Sequence, residues 1–338
     1  MVSELRNTNL FRYATSELSQ DAFICWLLSH ATESGWKESA QLGECAVAFL
    51  NKILNASGLN LANSACVTDI KRQYEHIDVF VEINHKLNII IEDKTFTNTH
   101  GNQINRYKKT LLDKGVAEEN ILCVFYKIED QPSPEKNVDF EFTRKNLLEL
   151  FRPYVKNAGN QILSDYVEYL ESIEHEVNSY QTLPISKWSD RAYQGFFIHL
   201  RETVLKDVDM SWGHVSNHSG GFMGSWWGFL SRRDLDNIGL YEQYCDSLYL
   251  QIENDIIALK YSINPQNKET NNDEVRKIRW KLYDYFHQKL GDEFQKKPFR
   301  LGRWMTVGYI RYDETNYLEK IKAMQSAFSR LLKNGKLR

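Results

Sequence analysis

The stretch Leu87 to Phe96, LNIIIEDKTF, constrains the fold more than any other part of the chain. Leu87 and the run Ile89 to Ile91 form the pattern of a strand covered on both faces, and such a strand sits centrally in a sheet. Yet the same strand carries Glu92, Asp93 and Lys94. Burying charge is costly unless it is paired or coordinates a metal. The segment therefore asks both for a layered α/β fold and for a reason to keep ions inside it.

Before it, Val67 to Ile83 alternates with a period of two. His76, Asp78, Phe80 and Glu82 share one face of the expected strand; Ile77, Val79, Val81 and Ile83 share the other. Asn84-His85-Lys86 reads as a three-residue loop, which pairs Ile83 with Leu87 and sets Asp78 opposite Glu92. Facing residues on neighbouring strands have Cβ atoms about 5 Å apart. Two carboxylates at that distance destabilise the sheet unless something neutralises them. A divalent cation with a taste for hard oxygen ligands, Mg²⁺ or Mn²⁺, does so. Glu92 and Lys94, two apart, leave the same face. Lys94 is thus placed to orient a water and to stabilise charge on an attacked phosphate. The backbone carbonyl of Asp93 is expected to point into the same centre as a further ligand, while the Asp93 side chain faces the other way. His76 is read as a sheet-edge histidine.

The rest of the first half supplies helices. Residues 15 to 31 have Thr15 or Ser16 as an N-cap, with Glu17 and Asp21 near the positive end of the dipole. Residues 39 to 56 carry an apolar stripe through Leu42, Ala46, Phe49, Leu50 and Ile53. A helix over Asn98 to Lys114 is closed by Gly115. On it Gln103 and Tyr107, four apart, share a face. Ile121 to Lys127 is another buried strand, and helices are expected near Arg144 to Val155 and Asn160 to Val177. The pattern lapses around Asn178 to Lys187, which marks a boundary between domains of residues 1–178 and 179–338.

The second half reads as an α+β accessory domain for substrate binding or oligomerisation. A helix is expected over Asp190 to Lys206 and an antiparallel strand pair within SGGFMGSWWGFLSRR. A hairpin follows, Leu248 to Ile252 with Asp255 to Ile263. Helices near Asp273 to Leu290 and Asn316 to Lys333 flank a strand over Trp304 to Arg311.

Composition narrows the class. With 42% hydrophobic and 26% charged residues the chain is globular rather than disordered. A net charge of −3 gives no global basic field. The five cysteines are scattered and odd in number, which argues against a disulfide framework or a zinc ribbon. The opening MVSELRNTNLFRY has no apolar signal region and no run is long enough to span a bilayer, so a cytoplasmic protein without membrane contact is expected.

Asp78, Glu92-Asp93-Lys94 and Gln103-x-x-x-Tyr107 together resemble the PD-(D/E)XK nuclease superfamily, most closely its branch with a RecB-like QxxxY helix and its standalone bacterial members. The resemblance covers roughly residues 8 to 178. It implies a restriction-endonuclease-like mixed central sheet flanked by helices. It also implies a Mg²⁺-dependent nuclease, endo- or exonuclease, that hydrolyses DNA phosphodiester bonds with metal-activated water. Asp78 and Glu92 would hold the metal, Lys94 would act on the water, and Gln103 and Tyr107 would position the site or the phosphate. Related nucleases carry an acidic residue on the first helix that reaches the metal; Glu17 matches that position best, and Asp21 is the runner-up. Ile77 stands where the motif has proline. No counterpart of the cluster-binding cysteines exists, so no iron–sulfur cluster is expected. An RNA-directed nuclease, or a nucleic-acid-binding module on an inactive nuclease fold, are the competing readings. For phosphate contacts the candidates are Lys71, Arg72, Lys108 and Lys109 near the centre, with Arg276 and Arg279 in the second domain. A homodimer, or a protein partner held by the second domain, is compatible with the same sequence.

Overall fold

The computed structural model describes residues 5–59, 65–94, 103–217, 220–241, 245–263 and 272–333. The expected strand residues Thr95 and Phe96, and the expected helix start at Asn98, lie outside the described residues. The chain divides into two compact units, Met1–His175 and Glu176–Arg338.

The first unit opens with α1 (Glu17–Ser29), whose N-cap Ser16 side chain accepts from the Ser19 N–H. A short α2 (Glu33–Glu38) leads into α3 (Ala40–Ala56), which buries Leu42, Ala46, Phe49, Leu50 and Ile53. Strands β1 (Val67–Tyr74), β2 (Ile77–Ile83) and β3 (Leu87–Lys94) follow. Then come α4 (Gln103–Asp113), β4 (Ile121–Lys127), β5 (Phe140–Thr143), α5 (Arg144–Ala158) and α6 (Gln161–Asn178). The sheet runs β1-β2-β3-β4-β5, antiparallel among the first three strands and parallel from β3 to β5. It is a mixed sheet with β3 at its centre, and all eight residues of β3 are buried.

Val67 to Ile83 is not one strand. It is a hairpin that turns at Glu75 and His76; these two and Gln73, near the end of β1, have left-handed φ (52°, 69° and 54°). Gln and Glu seldom take that region, although His is enriched there, and the alternation continues through the turn, so the break left little mark in the sequence. His76 consequently lies in the turn and not on a strand face. The short β5, which pairs parallel with β4, was also absent from the expected element order. The next connection behaves as expected. Asn84 and His85 have positive φ, Lys86 N–H donates to the Ile83 carbonyl at 3.0 Å, and Ile83 pairs with Leu87.

The two faces of this sheet are packed differently. Ile104, Tyr107 and Leu111 of α4 pack with Phe80 and Ile90, so α4 covers the face to which Glu92 and Lys94 also belong. The other face is met by α1, whose Gln20 reaches the Asp93 side chain. Aromatic rings fill the core of this unit: Phe23 stacks on Tyr166 (centroids 3.7 Å apart) and Phe49 on Phe142 (4.2 Å).

The second unit is built on α7 (Asp190–Glu202), β6 (Met210–Val215), β7 (Phe222–Trp227), α8 (Arg232–Asn237), β8 (Ser247–Glu253), β9 (Ile256–Ser262), α9 (Asn272–Leu290), β10 (Gln295–Lys296), β11 (Trp304–Arg311) and α10 (Tyr317–Lys333). Its sheet, β10-β11-β9-β8-β7-β6, is antiparallel throughout. The Gly- and Trp-rich segment supplies a single strand, β7. Its partner β6 comes from the preceding MSWGHV, whose alternation of Met210 and Trp212 with Ser211 and Gly213 is the overlooked signal. Trp227 is fully buried, and its indole N–H donates to Gln325. Among the described residues no helix is long and apolar enough to cross a membrane.

Candidate metal centre

Register assembles the centre. β2 and β3 pair Val79 with Ile91, and extending that register by one residue brings Asp78 beside Glu92. Asp78 Oδ2 accepts from the Asp93 backbone N–H at 3.0 Å, which ties the two strand ends together. Lys94 then collects the carboxylates. Its Nζ lies 2.7 Å from Glu92 Oε1, 3.7 Å from Asp78 Oδ2 and 3.9 Å from Glu17 Oε2. The same ammonium donates to the Asp93 carbonyl at 3.0 Å, so that carbonyl faces the point on which the side chains converge.

Three carboxylates against one ammonium leave negative charge in excess. Glu92 is fully buried, and neither of its oxygens has a well-directed hydrogen bond among the described residues, in spite of the near ammonium. Burial, with Asp78 adding to it, pushes the Glu92 carboxyl up to about 7. Lys94 is held above its ordinary range: burial alone would lower it, but Glu92, Asp78 and Glu17 more than offset that. Asp21 on α1, also buried, is pushed up to about 6 by burial and by Asp78. Among the described residues no group of three or more His, Cys, Asp and Glu side chains is arranged to hold a metal ion. The geometric focus of Glu17, Asp78 and Glu92 is the Lys94 ammonium itself.

Gln73, near the end of β1 where the chain approaches the turn, links these groups. Its side-chain amide donates to Asp21 Oδ2 (3.1 Å) and to Asp78 Oδ1 (3.2 Å). Sequence reasoning missed it because the turn that follows it was not legible. Lys127 was missed for a related reason. The parallel register of β3 and β4 sets it beside Lys94, on the same sheet face, and burial lowers its pKa. On α4 the Gln103 amide donates to the Tyr107 hydroxyl at 2.6 Å. Tyr107 packs in the core beneath α4, and its pKa is raised by burial and by the nearby Glu92 and Asp78.

The Asp93 side chain takes the opposite face. It accepts from Gln20, whose carbonyl accepts from Tyr166 OH (3.2 Å), and Tyr166 shares a hydrogen bond with Tyr126 (2.7 Å). All four residues are buried, and burial raises the Asp93 carboxyl well above its usual range. This chain braces α1 and α6 against β3 and β4.

The basic candidates fall in different settings. Lys71 pairs with Asp69 (2.6 Å) and lies over the Tyr74 ring; Arg72 is exposed and donates to the Leu18 carbonyl. Lys108 pairs with Glu118 (2.9 Å), and Lys109 is exposed on α4. In the second unit Arg276 is exposed above Phe299, whereas Arg279 is buried, its guanidinium donating to the carbonyls of Thr306, Lys297 and Val307. In comparison with known proteins, no family model, curated protein or solved structure matches the chain.

Proposed function

We propose that the first unit is a restriction-endonuclease-like, Mg²⁺-dependent nuclease of the PD-(D/E)XK superfamily that hydrolyses DNA phosphodiester bonds. The observation that carries this reading is the convergence of Glu17, Asp78, Glu92 and the Asp93 carbonyl on the Lys94 ammonium, with Tyr107 of α4 close enough for Glu92 and Asp78 to raise its pKa. The surplus of carboxylates over the single Lys94 ammonium, with Glu92 fully buried, is the electrostatic demand that a hard cation would meet. Asp78, Glu92 and the Asp93 carbonyl would hold Mg²⁺ or Mn²⁺, with Glu17 at the open side of the centre. Bound there, the cation supplies Lewis acidity to the phosphate and to the attacking water. Lys94 orients that water and stabilises charge on the phosphate. Gln103 fixes the Tyr107 hydroxyl, and the pair positions the Lys94 side of the centre. Asp78 additionally holds the β3 backbone, so it acts on position as well as charge.

A second reading, a nucleic-acid-binding module on an inactive nuclease fold, is favoured by one specific fact. The Lys94 ammonium sits at the focus of the three carboxylates and partly neutralises them. Thermal melts with and without Mg²⁺ separate the two. The nuclease reading expects Mg²⁺ to raise Tm, because a ligand of the folded state stabilises it; an inactive fold held together by Lys94 expects no shift. A cleavage assay over single-stranded, linear, circular and branched DNA, with RNA alongside, then assigns the substrate. Absence of cleavage of every substrate in both Mg²⁺ and Mn²⁺ would sink the nuclease reading.

A further inference from the structure

The second unit carries a cleft of about 400 Å³ bounded by α9 and the segment leading into β11. Arg279, Lys297, Arg300 and Trp304 line it, and among the described residues no acidic side chain does. Arg279 lies at its base with its guanidinium tied to backbone carbonyls, so its charge is fixed in place without a carboxylate to offset it. Burial lowers its pKa, the response expected of a cation with no anionic neighbour. A cationic pocket that its own fold leaves uncompensated is suited to an anion from outside.

The rim adds a second chemistry. Trp304 is 49% exposed and Trp280 is 44% exposed. Large rings of this kind are normally covered, and left open beside cations they mark a surface that binds. Arg303 lies 5.1 Å from the Trp304 ring, and the Lys296 ammonium lies over Trp280. Partly exposed indoles, fixed positive charge and a concave floor coincide within one stretch of chain, residues 276 to 306.

We propose that this cleft binds one nucleotide of a single-stranded nucleic acid, its base stacked on Trp304 and its phosphate held by Arg300. Ligand sites of this kind have volumes of about 300–1,000 Å³, and this cleft falls in that range. A base within a duplex has both faces covered by its neighbours, so only an unstacked base offers a face to an indole. An acidic peptide would satisfy the cations and leave the Trp304 face unused. The proposal goes beyond the nuclease reading: it concerns the second unit, and it is measured by binding in the absence of divalent metal.

The test is fluorescence anisotropy of the full chain, in EDTA, with a labelled oligothymidylate of roughly twelve nucleotides. Trp304→Ala should weaken binding by about tenfold, the scale of one lost stacking contact, and Trp304→Phe should restore most of it. Arg300→Glu should weaken binding by a similar factor and reduce the salt slope by about one. An abasic oligonucleotide of the same length should bind the wild type about as weakly as the oligothymidylate binds Trp304→Ala. Both side chains are exposed, so these variants are expected to melt like the wild type. Equal affinity of wild type and Trp304→Ala, equal affinity for the abasic strand, or equally effective competition by polyglutamate would overturn the proposal. Cleavage by the carboxylate centre is a separate readout, so failure of either reading leaves the other standing.

Discussion

The two faces of β3 hold neighbouring carboxylates with opposite fates. Glu92 and Asp93 are adjacent, both fully buried and both raised in pKa chiefly by burial. Asp93 is enclosed by Gln20, Tyr166 and Tyr126, a run of hydrogen bonds that ends within the core. Glu92 meets a lysine and, through it, two further carboxylates from β2 and α1. Burial and a perturbed pKa therefore do not by themselves distinguish a working centre from an internal brace. What sets the Glu92 side apart is that three carboxylates gather around one ammonium, an arrangement with an electrostatic cost, and the proposed function rests on that difference.

The difference can be broken by substitution, starting with the largest expected effect. Lys94→Ala should reduce Mg²⁺-dependent cleavage by on the order of 10³-fold or more, since removing a group that stabilises transition-state charge costs about that much. It also strands Glu92 without its counter-ion, so a melt must accompany the activity measurement. Next comes the isosteric pair. Glu92→Gln should cost about 10²-fold or more in cleavage while the metal-free protein melts no lower than wild type, because it removes surplus charge. Asp93→Asn should leave cleavage within about threefold, because a carboxyl held neutral by burial is well copied by an amide. Equal losses from the two variants would erase the distinction between the faces.

How much of this was legible in the sequence follows the same division. β3 and β4 are marked by apolar runs, and the Asn84–Lys86 turn fixes the Ile83–Leu87 register. The alternation of β2 assigned Asp78 to the Glu92 face. What could not be read depended on long-range geometry. The β1–β2 turn falls at Glu75 and His76 within an unbroken alternation, and Gln73 takes a left-handed φ at the end of β1, so the Gln73 bridge between Asp21 and Asp78 was hidden. The Gln20–Asp93 contact joins residues far apart in the chain through the packing of α1 on the sheet. Lys127 comes beside Lys94 only through the parallel pairing of β4 with β3.

A pH series sharpens the comparison further. Glu92 at about 7 and Asp21 at about 6 lie above the ordinary carboxylate range in the folded state, so between roughly pH 4 and pH 7 the folded chain binds more protons than the unfolded one. Metal-free stability should therefore fall as pH rises through that window and level off above it, as read by the denaturation midpoint. Added Mg²⁺ should remove the loss near neutrality by taking up the exposed charge. A metal-free midpoint that rises with pH across the same window would contradict the charge surplus. The smallest effect is expected at α4, where Gln103→Ala should lower cleavage by about tenfold by releasing the Tyr107 hydroxyl. A variant indistinguishable from wild type would reduce Tyr107 to the packing role it already has against Phe80 and Ile90.

The most direct measurement is cleavage of labelled DNA in Mg²⁺ by wild type and Asp78→Ala, each with its melting curve. Asp78 is half-buried and touches the centre from β2, outside the Glu92–Lys94 pair. The account predicts that the wild type cuts and gains Tm from Mg²⁺, while Asp78→Ala remains folded, gains nothing from Mg²⁺ and does not cut. Undiminished cleavage by folded Asp78→Ala would contradict it.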